Sequence, residues 1–196
     1  MNKEQTLDYL SSVDYINFST TLLYEAGKLH ASVNQFYDAS LGLPYQYHLN
    51  LVLEYAKSGF PDMDLTPGVI RVITFACVFH DALEDTRETY HNIIDRARDH
   101  LDNEFEITSA ADIVYAVTNE KGKNRAERAN STYYAGILQT PYASYVKVCD
   151  RLANAYCLVG NTRMREVYRK ENDEFIKKVT ISSGIPKILL EKLREI

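Results

Sequence analysis

A lone histidine, a His-Asp dipeptide and one distant aspartate are the residues here best suited to chemistry. His48 stands by itself. His80-Asp81 closes an apolar run and leads into Glu84-Asp85-Thr86, and Asp150 lies in Val146-Lys147-Val148-Cys149-Asp150-Arg151-Leu152-Ala153-Asn154. Imidazole nitrogens and carboxylate oxygens together hold borderline or hard divalent cations, and such a cation turns bound water into a nucleophile near neutral pH. Plainer readings exist for each residue alone: His48 as a satisfied core or surface histidine, Asp150 as an ion-pair partner of Arg151, and His-Asp as a chance dipeptide. The joint pattern favours a metal-centred hydrolase, because a second segment repeats the arrangement with Asp150 and Asn154 four apart.

The elements that must position these residues read as helices. Leu22, Leu23, Ala26 and Leu29 recur at helical spacing, as do Leu49, Val52, Leu53 and Ala56, and later Ile113, Val114 and Val117. Thr66-Pro67 is a helix start, with Thr as cap and Pro in the first turn. From there one helix is expected through residue 85. It is apolar on almost every side from 69 to 79, so it belongs in the middle of the core. On such a helix His80 and Glu84 share a face, and Asp81 and Asp85 the neighbouring one, which places the acidic pair deep in the fold or at the floor of a cleft. Pro141 is expected to open a further helix through Val146, Cys149, Leu152 and Ala153. Gly42-Leu43-Pro44, Ser58-Gly59-Phe60-Pro61 and Gly122 mark turns. No convincing strand appears, and an all-α bundle of roughly eight to ten helices follows from the usual helix length of about 11 residues.

At 196 residues, 45% of them hydrophobic and 25% charged, the chain can bury one sizeable core, and a single domain over 1–196 is expected. The three cysteines, Cys77, Cys149 and Cys157, lack metal or disulfide spacing and read as reduced packing residues. A net charge of −5 argues against general affinity for nucleic acid. The polar start lacks the apolar stretch of a secretory signal, and the apolar run from 69 is broken by Arg71 and Thr74, too short to span a bilayer. A soluble, cytoplasmic protein with no membrane partner is the expectation, and the pattern decides no oligomeric state. Lys121, Lys123, Arg125 and Arg128 form one basic cluster, suited equally to phosphate contact or to a solvated turn and helix start.

Taken together, these pieces resemble the HD-domain metal-dependent phosphohydrolases, which are all-helical, through the pattern H…HD…D at His48, His80-Asp81 and Asp150. The finer resemblance is to the hydrolase domain of RelA/SpoT proteins and to small alarmone hydrolases. Gly42-Leu43-Pro44-Tyr45-Gln46-Tyr47-His48 resembles that family's G-x-P-Y-x-x-H, and His80-Asp81-Ala82-Leu83-Glu84-Asp85-Thr86 its H-D-x-x-E-D-T. Ala116-Val117-Thr118-Asn119-Glu120 is similar to its next short motif, and the segment 146–154 to its K-x-x-D-R-L-x-N. The pieces occur in the family's order over residues 20 to 160; the helices from 162 to 196 carry no recognisable chemistry and are expected to close the core or make a dimer contact.

The resemblance implies one Mn²⁺ held by His48, His80, Asp81 and Asp150, with Glu84 and Asp85 orienting or deprotonating the attacking water. It implies hydrolysis of the 3'-pyrophosphate of guanosine tetra- or pentaphosphate. Asn154 would contact the nucleotide, with local backbone capping as its plainer role. Basic candidates for the phosphates are Lys121, Lys123, Arg125, Lys147 and Arg151, although Arg151 also suits orienting a carboxylate. The sequence departs from the family before His48, where a basic pair is usual: Asn34-Gln35-Phe36-Tyr37-Asp38-Ala39-Ser40 carries none, so that the ring of Phe36 or Tyr37 is a candidate stacking surface, with core or loop packing as the plainer role of Tyr37. Another nucleotide (a nucleoside mono- or triphosphate, or the 2'-phosphate of NADPH) or a non-catalytic nucleotide-binding module remain the alternatives. His30, His91 and His100 match no ligand position and read as ordinary surface or partly buried histidines.

Overall fold

The computed structural model describes residues 1–38, 41–157, 162–181 and 184–196, with the side chains of residues 126, 157 and 162–165 left aside. In chain order the elements are α1 (Lys3–Leu10), α2 (Val13–Ser32), β1 (Phe36–Asp38), β2 (Leu43–Pro44), α3 (Gln46–Gly59), α4 (Pro67–Phe79), α5 (Ala82–Asp85), α6 (Tyr90–Arg98) and α7 (Glu104–Val117). They continue with α8 (Arg125–Arg128), α9 (Ser131–Gln139), α10 (Ala143–Cys157), α11 (Thr162–Val179) and α12 (Lys187–Arg194). Among the described residues ten helices have eight residues or more, and α5 and α8 are single turns. The all-α expectation holds. One small exception is an antiparallel ribbon, in which Phe36 pairs with Pro44 and Asp38 with Leu43. Strands of three and two residues are too short to leave a periodic signal.

α4 is the central rod. Thr66 caps it, accepting a bond from the Val69 amide, and Pro67 occupies its first turn. Ile70 and every residue from Val72 to Phe79 are buried, because α3, α7 and α10 surround it and α2 covers the remaining side. The Phe75 and Phe79 rings stack at 4.5 Å, and truncating either to Ala would cost about 3–5 kcal/mol. Tyr145 on α10 ties the neighbouring helix in by donating to the Ala56 carbonyl of α3 at 2.5 Å. Its hydroxyl oxygen would lie 2.6 Å from any Cβ placed on Gly59, so this close crossing requires glycine.

The helix expected to run through residue 85 is interrupted. α4 ends at Phe79, and α5 begins at Ala82. The cause lies in a side chain: His80 Nδ1 engages the Cys77 carbonyl at 2.8 Å, the group an unbroken helix offers to the Asp81 amide. α5 then restarts from Asp81, whose carbonyl accepts from the Asp85 amide at 2.9 Å. Thr86 closes it by donating to the Ala82 carbonyl at 2.6 Å. α10 opens two residues after Pro141, with Tyr142 at a positive φ of 64°.

Cys77 and Cys149 are buried and free, as expected, whereas the Cys157 side chain lies outside the described residues. Buried Leu189 and Leu193 of α12 pack into the core, so the last helix does close it. Among the described residues, no helix is long and apolar enough to cross a membrane.

Candidate metal centre and its cavity

Three elements deliver the ligand-type side chains to one point. His48 comes from the first turn of α3, His80 and Asp81 from the break after α4, and Asp150 from the middle of α10. The two imidazole Nε2 atoms are 3.3 Å apart, and each lies 3.5 Å from Asp150 Oδ1. Asp81 Oδ2 is 2.8 Å from His80 Nε2 and 3.5 Å from His48 Nε2. Ligand atoms about 2.1 Å from a shared ion lie roughly 3.0–3.5 Å from one another, so the spacing among His48, His80 and Asp150 fits a single cation. His48, His80 and Asp150 are buried and form the tightest trio, with Asp81 at its edge.

Second contacts fix these donors. The His80 bond to the Cys77 carbonyl makes Nδ1 a donor and turns Nε2 inward, where it holds a proton in the metal-free cluster and would offer a lone pair to a cation. Tyr45 donates to Asp81 Oδ2 at 2.5 Å, Asn154 donates to Asp150 Oδ1 at 2.5 Å, and Lys147 pairs with Asp150 Oδ2 at 2.8 Å. Burial alone would depress the histidine pKa values, yet Asp81 and Asp150 outweigh it: His80 is pushed up to about 10 and His48 is also raised. Burial would raise the two carboxylates, but His80 (for Asp81) and Lys147 (for Asp150) drive them well below their usual range. The cluster therefore demands positive charge at its centre, from protons or from a cation.

The acidic pair faces the adjoining cavity on two sides. Glu84 is held by Asn119, whose Nδ2 donates to its two oxygens at 3.0 and 2.8 Å, and Arg128 stands 3.9 Å away. Asp85 Oδ2 accepts from Gln35 Nε2 at 2.7 Å and from Tyr45 at 3.5 Å. Partial burial and the charge of Asp81 raise the Asp85 pKa, with the Gln35 bond working against them. These carboxylates line the cavity and remain accessible to solvent, so of the two expected places, deep in the fold or at the floor of a cleft, the deep one does not hold. The break at His80 moves α5 off the axis of α4 and out of the core.

The cavity measures about 470 Å³, and Tyr45, Asp81, Asp150 and Lys178 are among the residues that line it. Among the described residues its walls carry five cationic side chains (Arg125, Arg128, Lys147, Arg151 and Lys178) against six carboxylates (Asp81, Glu84, Asp85, Asp150, Glu171 and Glu174). One divalent cation changes the formal balance from −1 to +1, which suits an anionic ligand. A scan against known protein-family models and a comparison with curated proteins both returned no match to this chain.

The other nominated residues divide. Arg125 lines the cavity, paired with Glu171 at 3.0 Å and stacked over Tyr168 at 4.7 Å. Arg151 also lines it, but is buried, donating to the Tyr168 carbonyl at 2.8 Å and sitting over that ring at 4.1 Å. Asn154 lines it while steering Asp150. Lys121 and Lys123 are exposed and do not line it. Nor does Tyr37, whose ring lies parallel to the His48 imidazole at 6.2 Å and against Tyr47 at 5.0 Å, supporting the ligand from its flank.

Several site residues escaped the sequence reading. Tyr45 and Asn119 sit inside two of the quoted motifs, which was the available signal. α11, expected to carry no chemistry, supplies Tyr168, Glu171, Glu174, Phe175 and Lys178 to the far wall. His30, expected near the surface, is completely buried and stacks on Tyr45 at 4.4 Å.

Proposed function

We propose that this chain is a metal-dependent nucleotide phosphohydrolase of the HD-domain kind, acting on the 3'-pyrophosphate of guanosine tetra- or pentaphosphate. The observation that carries the reading is the convergence of two inward-facing Nε2 atoms and two carboxylates at one end of a cavity lined with both cations and a second acidic pair. His48, His80, Asp81 and Asp150 would hold one Mn²⁺. That ion would polarise a phosphoryl oxygen and acidify adjacent water.

The chain's own groups supply the rest. Asp85, with its raised pKa, accepts the proton of the attacking water. Glu84, clamped by Asn119, orients that water. Water oxygen bonds to the 3'-linked phosphorus, the bond from that phosphorus to the ribose 3'-oxygen breaks, and the departing 3'-oxygen takes up a proton, one having gone from the water to Asp85, so that pyrophosphate and GDP or GTP result. Arg128, 3.9 Å from Glu84, and Lys147, beside Asp150, bind phosphate oxygens through charge-assisted hydrogen bonds.

A broader reading is favoured by one observation: between Asn34 and Asp38 no basic side chain is available to grip a guanine ring. Another nucleotide substrate would then use the same centre. The test is incubation of the purified chain and Mn²⁺ with guanosine and adenosine 3'-pyrophosphates, ordinary nucleotides and NADPH, with product analysis, repeated for Asp81→Ala. Pyrophosphate release from the 3'-position, lost in the variant, supports the proposal. Equal turnover by the variant removes the metal chemistry. Activity confined to a 5'-monophosphate or a 2'-phosphate sinks the alarmone version, and binding without conversion indicates a nucleotide-binding module.

A further inference from the structure

α2 ends in a backbone motif that clasps two side chains together. Asn34 adopts the left-handed conformation with φ 55°. The Gln35 amide donates to the His30 carbonyl at 3.0 Å, and the Asn34 amide to the Ala31 carbonyl at 3.1 Å. This pair of bonds is the Schellman arrangement, with asparagine in the position usually taken by glycine. It folds Gln35 back over the last turn, so that the same two residues also meet through their side chains: His30 Nδ1 lies 2.5 Å from Gln35 Oε1. The other end of the amide, Nε2, reaches Asp85 Oδ2 at 2.7 Å.

The proton positions follow from chemistry. An ionised carboxylate only accepts, so the Gln35 NH₂ must face Asp85 and its oxygen must face the histidine. His30 Nδ1 is therefore the N–H donor. Its Nε2 is buried without a hydrogen-bond partner, a tolerable state for a neutral lone pair and a costly one for a second N–H. Tyr45, which stacks on this imidazole at 4.4 Å, donates to Asp81 and reaches Asp85 at 3.5 Å.

We infer that His30 and Gln35 form a positioning relay for Asp85, in which a neutral Nδ1–H imidazole fixes the Gln35 amide and the amide fixes the carboxylate that receives the proton of the attacking water. The role of the relay rests on the function proposed above; its geometry does not. Burial lowers the His30 pKa, which keeps the ring neutral. The rigid Schellman turn, the stack on Tyr45 and two hydrogen bonds leave the amide one orientation. Asp85 is thereby held at a solvent-accessible edge where a free carboxylate would sample several rotamers.

Two measurements test this. Long-range ¹H–¹⁵N NMR of the metal-free protein at pH 7 should show His30 as the neutral Nδ1–H tautomer, a readout needing no substrate. An Nε2–H tautomer or an imidazolium overturns the relay. In the Mn²⁺-loaded protein, Gln35→Leu should lower kcat by 10–100-fold while KM and Mn²⁺ affinity change less than threefold, and His30→Leu added to it should lower kcat no further. Unchanged kcat, or parallel loss of kcat and metal affinity, overturns the positioning role. A wild-type chain that turns over no nucleotide refutes the catalytic role of the relay along with the proposed function, while the tautomer still decides whether the relay is formed.

Discussion

Lys147 offers a direct test of whether the cluster is built for a cation. Its ammonium is 2.8 Å from Asp150 Oδ2, with side-chain exposures of 16% and 7% for the two partners. Replacing it by Met removes one partner of a nearly buried pair, a change that costs about 3–5 kcal/mol when the surviving charge is left uncompensated. In the metal-free protein His80, with its pKa near 10, is protonated at pH 7 and stands 3.5 Å from Asp150 Oδ1. That residual compensation, and the partial exposure of Lys147, bring the expected loss to about 2.5 kcal/mol.

With a divalent ion bound, Asp150 has a new counter-charge and the lysine becomes a competing cation. The loss should then fall to about 1 kcal/mol, and the difference between the two states of about 1.5 kcal/mol appears as roughly tenfold tighter metal binding by Lys147→Met. Loss of orientation at Asp150 works the other way, but Asn154 still holds Oδ1 at 2.5 Å. For a chain of this size each kcal/mol corresponds to about 2–4 °C in melting temperature. Melting with chelator should therefore drop by about 5–10 °C, and with saturating Mn²⁺ by about 2–4 °C. Direct Mn²⁺ titration gives the affinity independently. Equal destabilisation in both conditions, or weaker metal binding, would refute the reasoning.

Three further outcomes are expected. For the metal-free protein, the raised His80 pKa contributes stability that is complete below the unfolded value of about 6.5 and is lost as pH rises through about 10. Urea denaturation in chelator should accordingly show stability falling from pH 7 to pH 10, and a flat or rising profile would contradict it. Arg151→Met removes bonds to the Tyr168 carbonyl and to Glu171 from a side chain only 6% exposed, and should lower unfolding free energy by about 2–3 kcal/mol in the same assay. Lys121→Ala and Lys123→Ala, outside the cavity, should leave KM within twofold, whereas Arg128→Ala, on its wall beside Glu84, should raise it about tenfold in steady-state kinetics.

What the sequence made visible was local. The apolar periodicity around Leu22, Leu49 and Ile113 and the Thr66-Pro67 cap each predict a helix where one exists, because those signals depend on neighbours within a few turns. That His48, His80 and Asp150 would meet was legible from residue type and pattern, and the fold does bring them together. The break at His80 was not: apolar periodicity runs straight up to it, and the interruption comes from an imidazole bonding to the Cys77 carbonyl. Nor was the turn after α2, where Asn34 takes a conformation that glycine would have advertised. The partner of Arg151 is Glu171, twenty positions on, and no spacing rule reaches that far.

α11 illustrates the same limit from the side of function. Its residues read as an ordinary charged helix, yet Tyr168, Glu171, Phe175 and Lys178 form the wall opposite the acidic pair. Arg125 is held there by Glu171 at 3.0 Å and by the Tyr168 ring, and its guanidinium still keeps 45% side-chain exposure. A planar cation over an aromatic ring, on a side chain that is partly exposed, is the kind of surface on which a nucleobase stacks. The segment before His48 offers no such group, and Tyr37 is turned against His48 itself. If the proposed function holds, the natural place for the base is the α8–α11 wall, with its phosphates directed toward Lys147 and the His48, His80, Asp81 and Asp150 cluster. The charge balance argues for the same direction, because a divalent cation that would bring these lining groups to a net positive charge would be held by the His48, His80 and Asp150 cluster.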